Sequence, residues 1–296
     1  MARTSTTTTM RRALRREAAS TVGLLADPID FAAMRRYRTF PFDDHDTYLR
    51  QVDKLLRTLA THGGHTTVAL FDPEDYADYC AETGLDPDTP AGRSRYTAEI
   101  GTTGARVPYT GQPVDRLVPL LVQRAVRQAT WEYATMLLTD LGACADCGQD
   151  IGRTAFDRAS HLLTRLLEAA GPGTHHLVCS VPADEHLLAV LHTERPSTGP
   201  ARLDPTEGAE FVTVLAAGIA LERPGGLVLR TTAPDTPDHV HGWRLDRGHL
   251  VPLTAAEVFN AYCTDADTGD PLPPEPGVAY HAGFDITTDD PWPGHH

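Results

Sequence analysis

The sequence lacks an apolar run long enough to cross a membrane, and it has few cysteines. The longest apolar stretches, such as Val212–Leu221, fall far short of the roughly 20 residues that a membrane span needs. The five cysteines are odd in number and only two are closely spaced, which argues against the disulfide framework of a secreted domain. Glu17 and Ser20 interrupt the segment that would have to be apolar in an export signal. We therefore expect a soluble cytoplasmic protein.

Familiar catalytic motifs are also missing. The sequence contains no Walker loop, no Rossmann glycine pattern, no G-x-S-x-G and no H-E-x-x-H. It shows no complete set of nucleophile and base, or of metal ligands. These absences favour a non-enzymatic regulatory or assembly protein that acts by protein–protein contact. Self-association into a homo-oligomer is left open.

Lysine is almost absent, because Lys54 is the only one among 26 basic residues. The 40 acidic residues outnumber the basic ones and give a net charge of −14, which disfavours a nucleic-acid-binding surface over most of the fold. With its many Ala, Leu, Gly and Pro residues, the whole chain resembles uncharacterised actinobacterial proteins of the Streptomyces type. That resemblance implies no activity and no functional residue.

Charge of one sign collects at each end of the chain. Residues 1–16 contain five Arg and no acid, whereas residues 264–296 contain seven acids and no Lys or Arg. Near the N-terminus, apolar residues recur at helical spacing with Arg on the other face: Met10, Leu14, Ala18, Val22 and Leu25. This predicts a basic amphipathic helix over 10–25, behind a disordered segment 1–9. We expect this helix and the acidic tail to bind a protein partner; the alternatives are a helix packed on its own domain and two solvated termini.

The order of the apolar segments predicts an α+β fold. Residues 10–171 are helix-rich, with one buried strand at Thr66–Phe71. Residues 174–263 alternate apolar runs with turns, which predicts a small antiparallel sheet with helices. The acidic tail is predicted to be irregular because Pro, Gly and Asp dominate it. A domain boundary is placed near Gly171–Gly173, and a single domain over 10–263 is the alternative.

The sharpest motif is Cys144-Ala-Asp-Cys147-Gly148. A Cys-x-x-Cys-Gly segment puts two thiolates at the tip of a tight turn, where a metal ion can bind. The segment of about ten residues around this motif resembles one half of a zinc ribbon, such as the knuckle of the DksA/TraR family. The resemblance implies that Cys144 and Cys147 bind a structural zinc ion. The second cysteine pair of that family has no counterpart in residues 152–174.

Structural zinc takes four ligands, so two more must come from elsewhere in the chain. Alternation along a strand puts His175 and Cys179 on one face, and we predict this pair as the remaining ligands. Other candidates are His161, His176, Cys80 and Cys263. Two further interpretations of Cys144 and Cys147 stay open, namely a thiol redox pair and two free cysteines in a helix–helix loop without metal.

An alternative site is acidic. Asp72 follows the predicted buried strand, at the edge where α/β folds bind ligands, and His65 stands just before that strand. Asp44 and Asp46 flank His45 in a group of side chains that suit hard cations. Together these groups could hold Mg²⁺ in a metal-dependent hydrolase of a phosphorylated substrate. The competing interpretation is that Asp72 and one of the other two carboxylates cap helices.

His239 and His241 make a third candidate site. Alternation puts both imidazoles on one face of a predicted strand, as metal ligands often are. The competing interpretation is that both rings are solvated on a surface hairpin.

Overall fold

The computed structural model describes residues 20–61, 65–234, 236–265 and 268–286. These residues form eight helices and ten strands, with helices dominating the N-terminal half and the larger sheet in the C-terminal half. The predicted α+β fold class is therefore confirmed. Within the same ranges, no helix is long and apolar enough to cross a membrane.

The chain divides into two compact units, Met1–Gln128 and Ala129–His296. The division falls inside a helix that spans Val114–Asp140. The sequence placed a boundary near Gly171–Gly173, whereas the helix just before it, Ile151–Ala170, is in the second unit.

The first unit contains a three-stranded sheet in the order β1-β2-β3. Its strands are β1 (Ser20–Leu24), β2 (Thr66–Leu70) and β3 (Arg106–Pro108). Strand β1 is parallel to β2, and β3 is antiparallel to β2. The helices that begin in this unit are α1 (Pro28–Met34), α2 (His45–Thr61), α3 (Pro73–Thr83), α4 (Pro90–Thr103) and α5 (Val114–Asp140). The sequence predicted β2 alone, and the two short strands beside it were missed.

The predicted basic helix over 10–25 is wrong where the structure describes it, because β1 occupies its second half. Thr21 and Val22 are β-branched, and such residues fit a pleated sheet better than a helix. Pairing along the whole of β2 and full burial of Leu24 outweigh the helical spacing, which is only a local signal. The first half of the predicted helix and segment 1–9 lie outside the described residues.

Each of the two parallel strands is followed by an Asp-Pro pair that starts a helix. Asp27 caps α1 by accepting two backbone N–H hydrogen bonds, of 2.7 and 2.9 Å. Asp72 caps α3 in the same way, at 2.7 and 3.1 Å. The following proline costs nothing, since the first helical N–H has no partner in the helix. Both helices therefore begin at the carboxyl edge of the sheet.

The second unit is built on a seven-stranded sheet in the order β10-β8-β7-β4-β5-β6, with β9 paired to β8. Neighbours are antiparallel, except that β10 runs parallel to β8. The strands are β4 (Gly173–Val181), β5 (Leu187–Arg195), β6 (Arg202–Leu203), β7 (Gly225–Thr232), β8 (Asp238–Asp246), β9 (His249–Pro252) and β10 (Val278–Tyr280). The helices are α6 (Ile151–Ala170), α7 (Pro205–Ala220) and α8 (Ala255–Tyr262).

Helices α6 and α7 cover one face of this sheet and bury a shared apolar core. Its members include Leu162, Leu166, Leu177, Phe211, Leu229 and Trp243. Helix α8 lies on the opposite face over β8, because a Cβ placed on Gly242 would sit 3.0 Å from Val258. In the described part of this unit, α8 makes its main contacts with β8 and β10 rather than with β4, β5 or β7.

The tail that was predicted to be irregular packs onto the second unit as far as it is described. Strand β10 pairs with β8, and the Trp243 indole N–H donates to the Phe284 carbonyl at 2.9 Å. The guanidinium of Arg230 binds the Glu275 carboxylate through two hydrogen bonds of 2.9 Å. These contacts join residues about 40 positions apart, so local composition does not reveal them.

Candidate functional site

The predicted zinc knuckle forms a tight turn between α5 and α6. The Cys144 N–H donates to the Gln149 carbonyl at 2.8 Å, and the Gly148 N–H donates back to the Cys144 carbonyl at 2.8 Å. Gly148 has a φ of 73°, in the left-handed region that glycine adopts without strain. Cys144 is buried and Cys147 is exposed, and no disulfide joins them.

The two remaining predicted ligands share one face of β4, as expected, but each is engaged elsewhere. Both ring nitrogens of His175 are hydrogen-bonded, Nδ1 with the Thr231 hydroxyl and Nε2 with the Gly171 carbonyl, each at 3.0 Å. Cys179 lies in the apolar core, where burial raises its pKa to about 12 and keeps the thiol protonated. In the described residues, no three His, Cys, Asp or Glu side chains are already disposed to hold a metal ion. Zinc at Cys144 and Cys147 stays a prediction.

The four residues of the alternative site do not come together as a group. Asp72 follows β2 and His65 precedes it, so seven residues at about 3.3 Å each place them roughly 23 Å apart. Asp72 is engaged as a helix cap, and Asp44 accepts the Thr47 N–H at 2.7 Å at the start of α2. That bond lowers the pKa of Asp44. Asp46 lies in the first turn of the same helix.

Carboxylates do gather at the carboxyl edge of β1 and β2, in a cluster that the sequence analysis found only in part. Asp72 is accompanied there by Asp27, Asp30, Glu74 and Asp75. Burial, followed by the nearby charges of Asp27 and Asp72, raises the pKa of Asp30 to about 6. The signal that could have located this cluster is the Asp-Pro pair repeated after two apolar segments.

A pocket of about 170 Å³ opens at the same edge. It is lined by Gly23, Leu25, Met34, Phe40, Tyr48, Phe71, Arg93 and Thr97. Arg93 donates to the Thr39 hydroxyl and carbonyl at 3.0 and 2.9 Å, so its guanidinium is held in place. The carboxyl ends of parallel strands are the usual ligand-binding position in α/β sheets. The pocket is large enough for a small molecule only.

In the second unit, the outer edge of β5 is open along most of its length. Strand β6 pairs only with Thr193 and Glu194. The His192 N–H points to the same outer side, where it donates to a Glu207 carboxylate oxygen at 3.0 Å. Backbone groups alternate in direction along a strand, so those of Leu188 and Val190 also point outward. In the described part of this unit, no strand pairs with them there.

The open edge continues into the uncovered face of the sheet. Leu188 is 47% exposed on that face, and Val178, Val190 and Val228 are half-buried beside it. Next to these side chains, the imidazoles of His176 and His192 stack with centroids 4.6 Å apart. An apolar strip with an imidazole border therefore faces outward beside the unpaired strand.

A second group of imidazoles lies where the C-terminal segment crosses β8. His239 and His241 share a strand face, as predicted, and the structure adds His281 from the residue after β10. The His239 Nδ1 and His281 Nε2 atoms are 2.9 Å apart and share a hydrogen bond. The His281 ring stacks 4.8 Å from His239 and 5.4 Å from His241, centroid to centroid.

Comparison with known proteins finds a family model that matches part of the chain. Residues 9–112 match the family model described as "Domain of unknown function (DUF8829)". The matched segment lies in the first unit and covers about a third of the chain. No curated protein matches, and no solved structure matches. The β5 edge and both histidine groups lie outside the matched segment.

Proposed function

We propose that this chain is a non-enzymatic assembly protein that acts by protein–protein contact through the outer edge of β5. The partner is a second copy of the chain. The observation that carries the proposal is the unpaired apolar edge at Leu187–Leu191. Natural sheets usually protect such an edge with lysine, proline, a bulge or a covering loop. This segment contains only Leu, Ala and Val.

The segment is complementary to itself when two copies run antiparallel. A two-fold axis at Ala189 sets Leu188 opposite Val190 of the second copy, and Leu187 opposite Leu191. The backbone groups of Leu188 and Val190 all point outward, so each facing pair exchanges two hydrogen bonds. A closed dimer needs the same patch on both subunits, and this strand supplies one. The apolar strips on the open faces would then adjoin.

Net charge gives the dimer a recognisable salt dependence. Each copy carries −14, so two copies repel one another at long range. Salt screens that repulsion, with a Debye length of about 8 Å at physiological ionic strength. Association through an apolar edge therefore strengthens as salt is added, whereas a dimer held by ion pairs would weaken.

Analytical ultracentrifugation of the full chain at micromolar concentrations tests the proposal. We expect a monomer–dimer equilibrium that Leu188→Lys weakens at least tenfold, because the variant places two charges at the seam. Val251→Lys is the matched control, since Val251 is also an exposed apolar residue on a strand of the second unit. A wild-type chain that stays monomeric in high salt would overturn the proposal, as would equal weakening by both variants.

A second candidate function rests on the carboxyl edge of the first unit. The carboxylates that follow β1 and β2 would receive a cation there. The pocket of about 170 Å³ opens at the same edge with Arg93 in its lining, and it would receive a small ligand. The second candidate function is therefore the metal-dependent hydrolase, with Asp30 as a candidate metal ligand in place of the distant His65. Titration of the chain with Mg²⁺ tests it: binding that Asp30→Asn removes would favour it, and the absence of Mg²⁺ binding would exclude a Mg²⁺-dependent hydrolase at this edge.

A further inference from the structure

We propose that His239, His241 and His281 form a binding site for a divalent transition-metal ion of the zinc class. The site is separate from the Cys144–Cys147 turn and from the β5 edge. Its three ligands come from two elements, since two lie on β8 and the third follows β10. A bound ion would therefore fasten the C-terminal segment to the sheet.

Strand geometry brings the three rings to one place. Residues two apart on a strand point to the same face, which aligns His239 with His241. Strand β10 runs parallel to β8 with Tyr280 paired to Val240, so the next residue, His281, falls beside His241. Zinc–nitrogen bonds of about 2.0–2.1 Å put two imidazole centroids on one tetrahedral ion roughly 5 Å apart. The separations of 4.8 and 5.4 Å bracket that value, but the ring nitrogens do not yet converge on one point in the described structure, so binding requires the rings to turn.

The hydrogen bonds leave lone pairs available to a metal. His241 Nδ1 donates to the Ala282 carbonyl at 2.8 Å, so the neutral ring has an unprotonated Nε2. A backbone carbonyl bound to the other ring nitrogen is the support that metal-binding histidines usually have. Between His239 and His281, a single proton is shared across 2.9 Å. A metal ion would take the place of that proton, which moves by exchange with solvent to the far nitrogen of the same ring so that each imidazole stays neutral, and the two ligand nitrogens would separate by a few tenths of an ångström.

The three rings lie on an apolar floor and are accessible to solvent. Phe284 and Trp243 pack together below His241, with ring centroids 4.8 Å apart, and form an apolar floor. All three imidazoles are half-buried, so an ion can enter from solvent. Three protein ligands leave a fourth position for water.

Zinc titration of the full chain by calorimetry tests the site, with Co²⁺ absorption reporting the ligand geometry. We expect one ion per chain, and at least tenfold weaker binding in His281→Gln. Zinc should also raise the melting temperature of the wild type but not of this variant, because only the wild type binds the ion in the folded state. His192→Gln is the matched control, since it removes one ring of the other stacked pair.

Further variants test whether the bound zinc belongs to the histidines or to the cysteine turn. Cys144→Ser with Cys147→Ser should leave the histidine-dependent binding unchanged, which separates this site from the predicted knuckle. If His281→Gln fails to fold, His239→Gln replaces it, because it removes the other end of the same hydrogen bond. Binding that survives His281→Gln when both cysteines are also replaced would overturn the proposal, as would binding that is lost in the cysteine variant alone. So would a wild-type chain that binds no zinc.

Discussion

The two units of this chain collect ionisable side chains in different ways. In the first unit, carboxylates gather beyond the ends of parallel strands, where Asp27 and Asp72 begin their helices. In the second unit, imidazoles gather across the faces of neighbouring strands, as His176 does with His192 and His239 with His281. Parallel pairing brings strand ends together, whereas lateral pairing brings alternate side chains together.

This contrast indicates which of the two clusters is the better candidate for a ligand-binding site. The carboxylates at the strand ends already have a structural task, since Asp27 and Asp72 satisfy backbone N–H groups of helices. On the strand faces, the His239–His281 and His176–His192 contacts join side chains to one another, and only His241 in these groups also donates its ring N–H to a backbone carbonyl, that of Ala282. A cluster with fewer structural tasks is the better candidate for a ligand, which is why the metal proposal rests on the second unit.

The largest effect is expected where an imidazole does have a structural task. His175 is fully buried and binds both Thr231 and Gly171. His175→Ala leaves a cavity and two unpaired polar groups, so it should lower the free energy of unfolding of the second unit by about 2–4 kcal/mol. His176→Ala, one residue along on the open face, is the matched control with a loss below about 1 kcal/mol. Urea unfolding measures both, and equal losses would contradict the account.

The next largest loss of stability is expected from removing a helix cap. Asp72→Ala and Asp27→Ala remove equivalent caps from α3 and α1, and each should cost about 0.5–2 kcal/mol of the free energy of unfolding. Thermal melts compare the two variants, and Mg²⁺ titration shows whether either residue binds metal. An Asp72→Ala variant that loses divalent-ion binding while Asp27→Ala keeps it would show that the strand-end cluster does more than cap helices.

The smallest effect is a stabilisation. The folded state raises the pKa of Asp30 from 3.8 to about 6, so the ionised carboxylate destabilises the first unit above pH 6 and ceases to do so as the pH falls toward 4. Asp30→Asn should therefore stabilise the protein by about 1 kcal/mol at pH 7.5, a value reduced because the group is partly exposed, and by nothing at pH 4. Glu82→Gln on α3 is the control for lost charge. Equal stability of wild type and Asp30→Asn at pH 7.5 would contradict the cause assigned to the shift.

The second unit should respond to pH in the opposite direction. Burial lowers the pKa of His175 below its usual 6.5, so the folded state holds the neutral ring. As the pH falls below 6.5, the unfolded chain takes up the proton first, and the contribution of His175 to stability is lost toward its lower folded pKa. Hydrogen exchange of the β4 amides at pH 7.5 and 5.5 measures this loss. Unchanged protection would contradict it.

Much of the fold could be predicted because its signals are local. The β-branched run at Thr66–Leu70 and the Asp72-Pro73 cap are readable in consecutive residues, and both are present in the structure. Strands β1 and β10 were missed because their partners are distant, with Ser20 paired to Thr66 and Tyr280 paired to Val240. For β1, a helical spacing of apolar residues also gave a misleading local signal.

The candidate sites show the same difference between local signals, which the sequence reveals, and long-range pairing, which it does not. Alternation placed His239 and His241 on one face, but the arrival of His281 depends on the register of β10, which no local pattern encodes. In the same way, Asp72 could be identified as a candidate because it follows a predicted strand. Placing Asp27 and Asp30 beside it required knowledge of the parallel pairing of β1 with β2. A sheet edge that could support a dimer was expected, but its position at β5 was not, because that depends on the shortness of β6.

Hydrogen exchange at the amides of Leu188 and Val190 tests the proposed assembly most directly. These amides point away from β4 and pair with a second copy if β5 joins β5. We expect the protection of both amides to rise with protein concentration in the wild type, and the protection of Val190 to stay low in Leu188→Lys. Protection that is independent of concentration at both amides would contradict it.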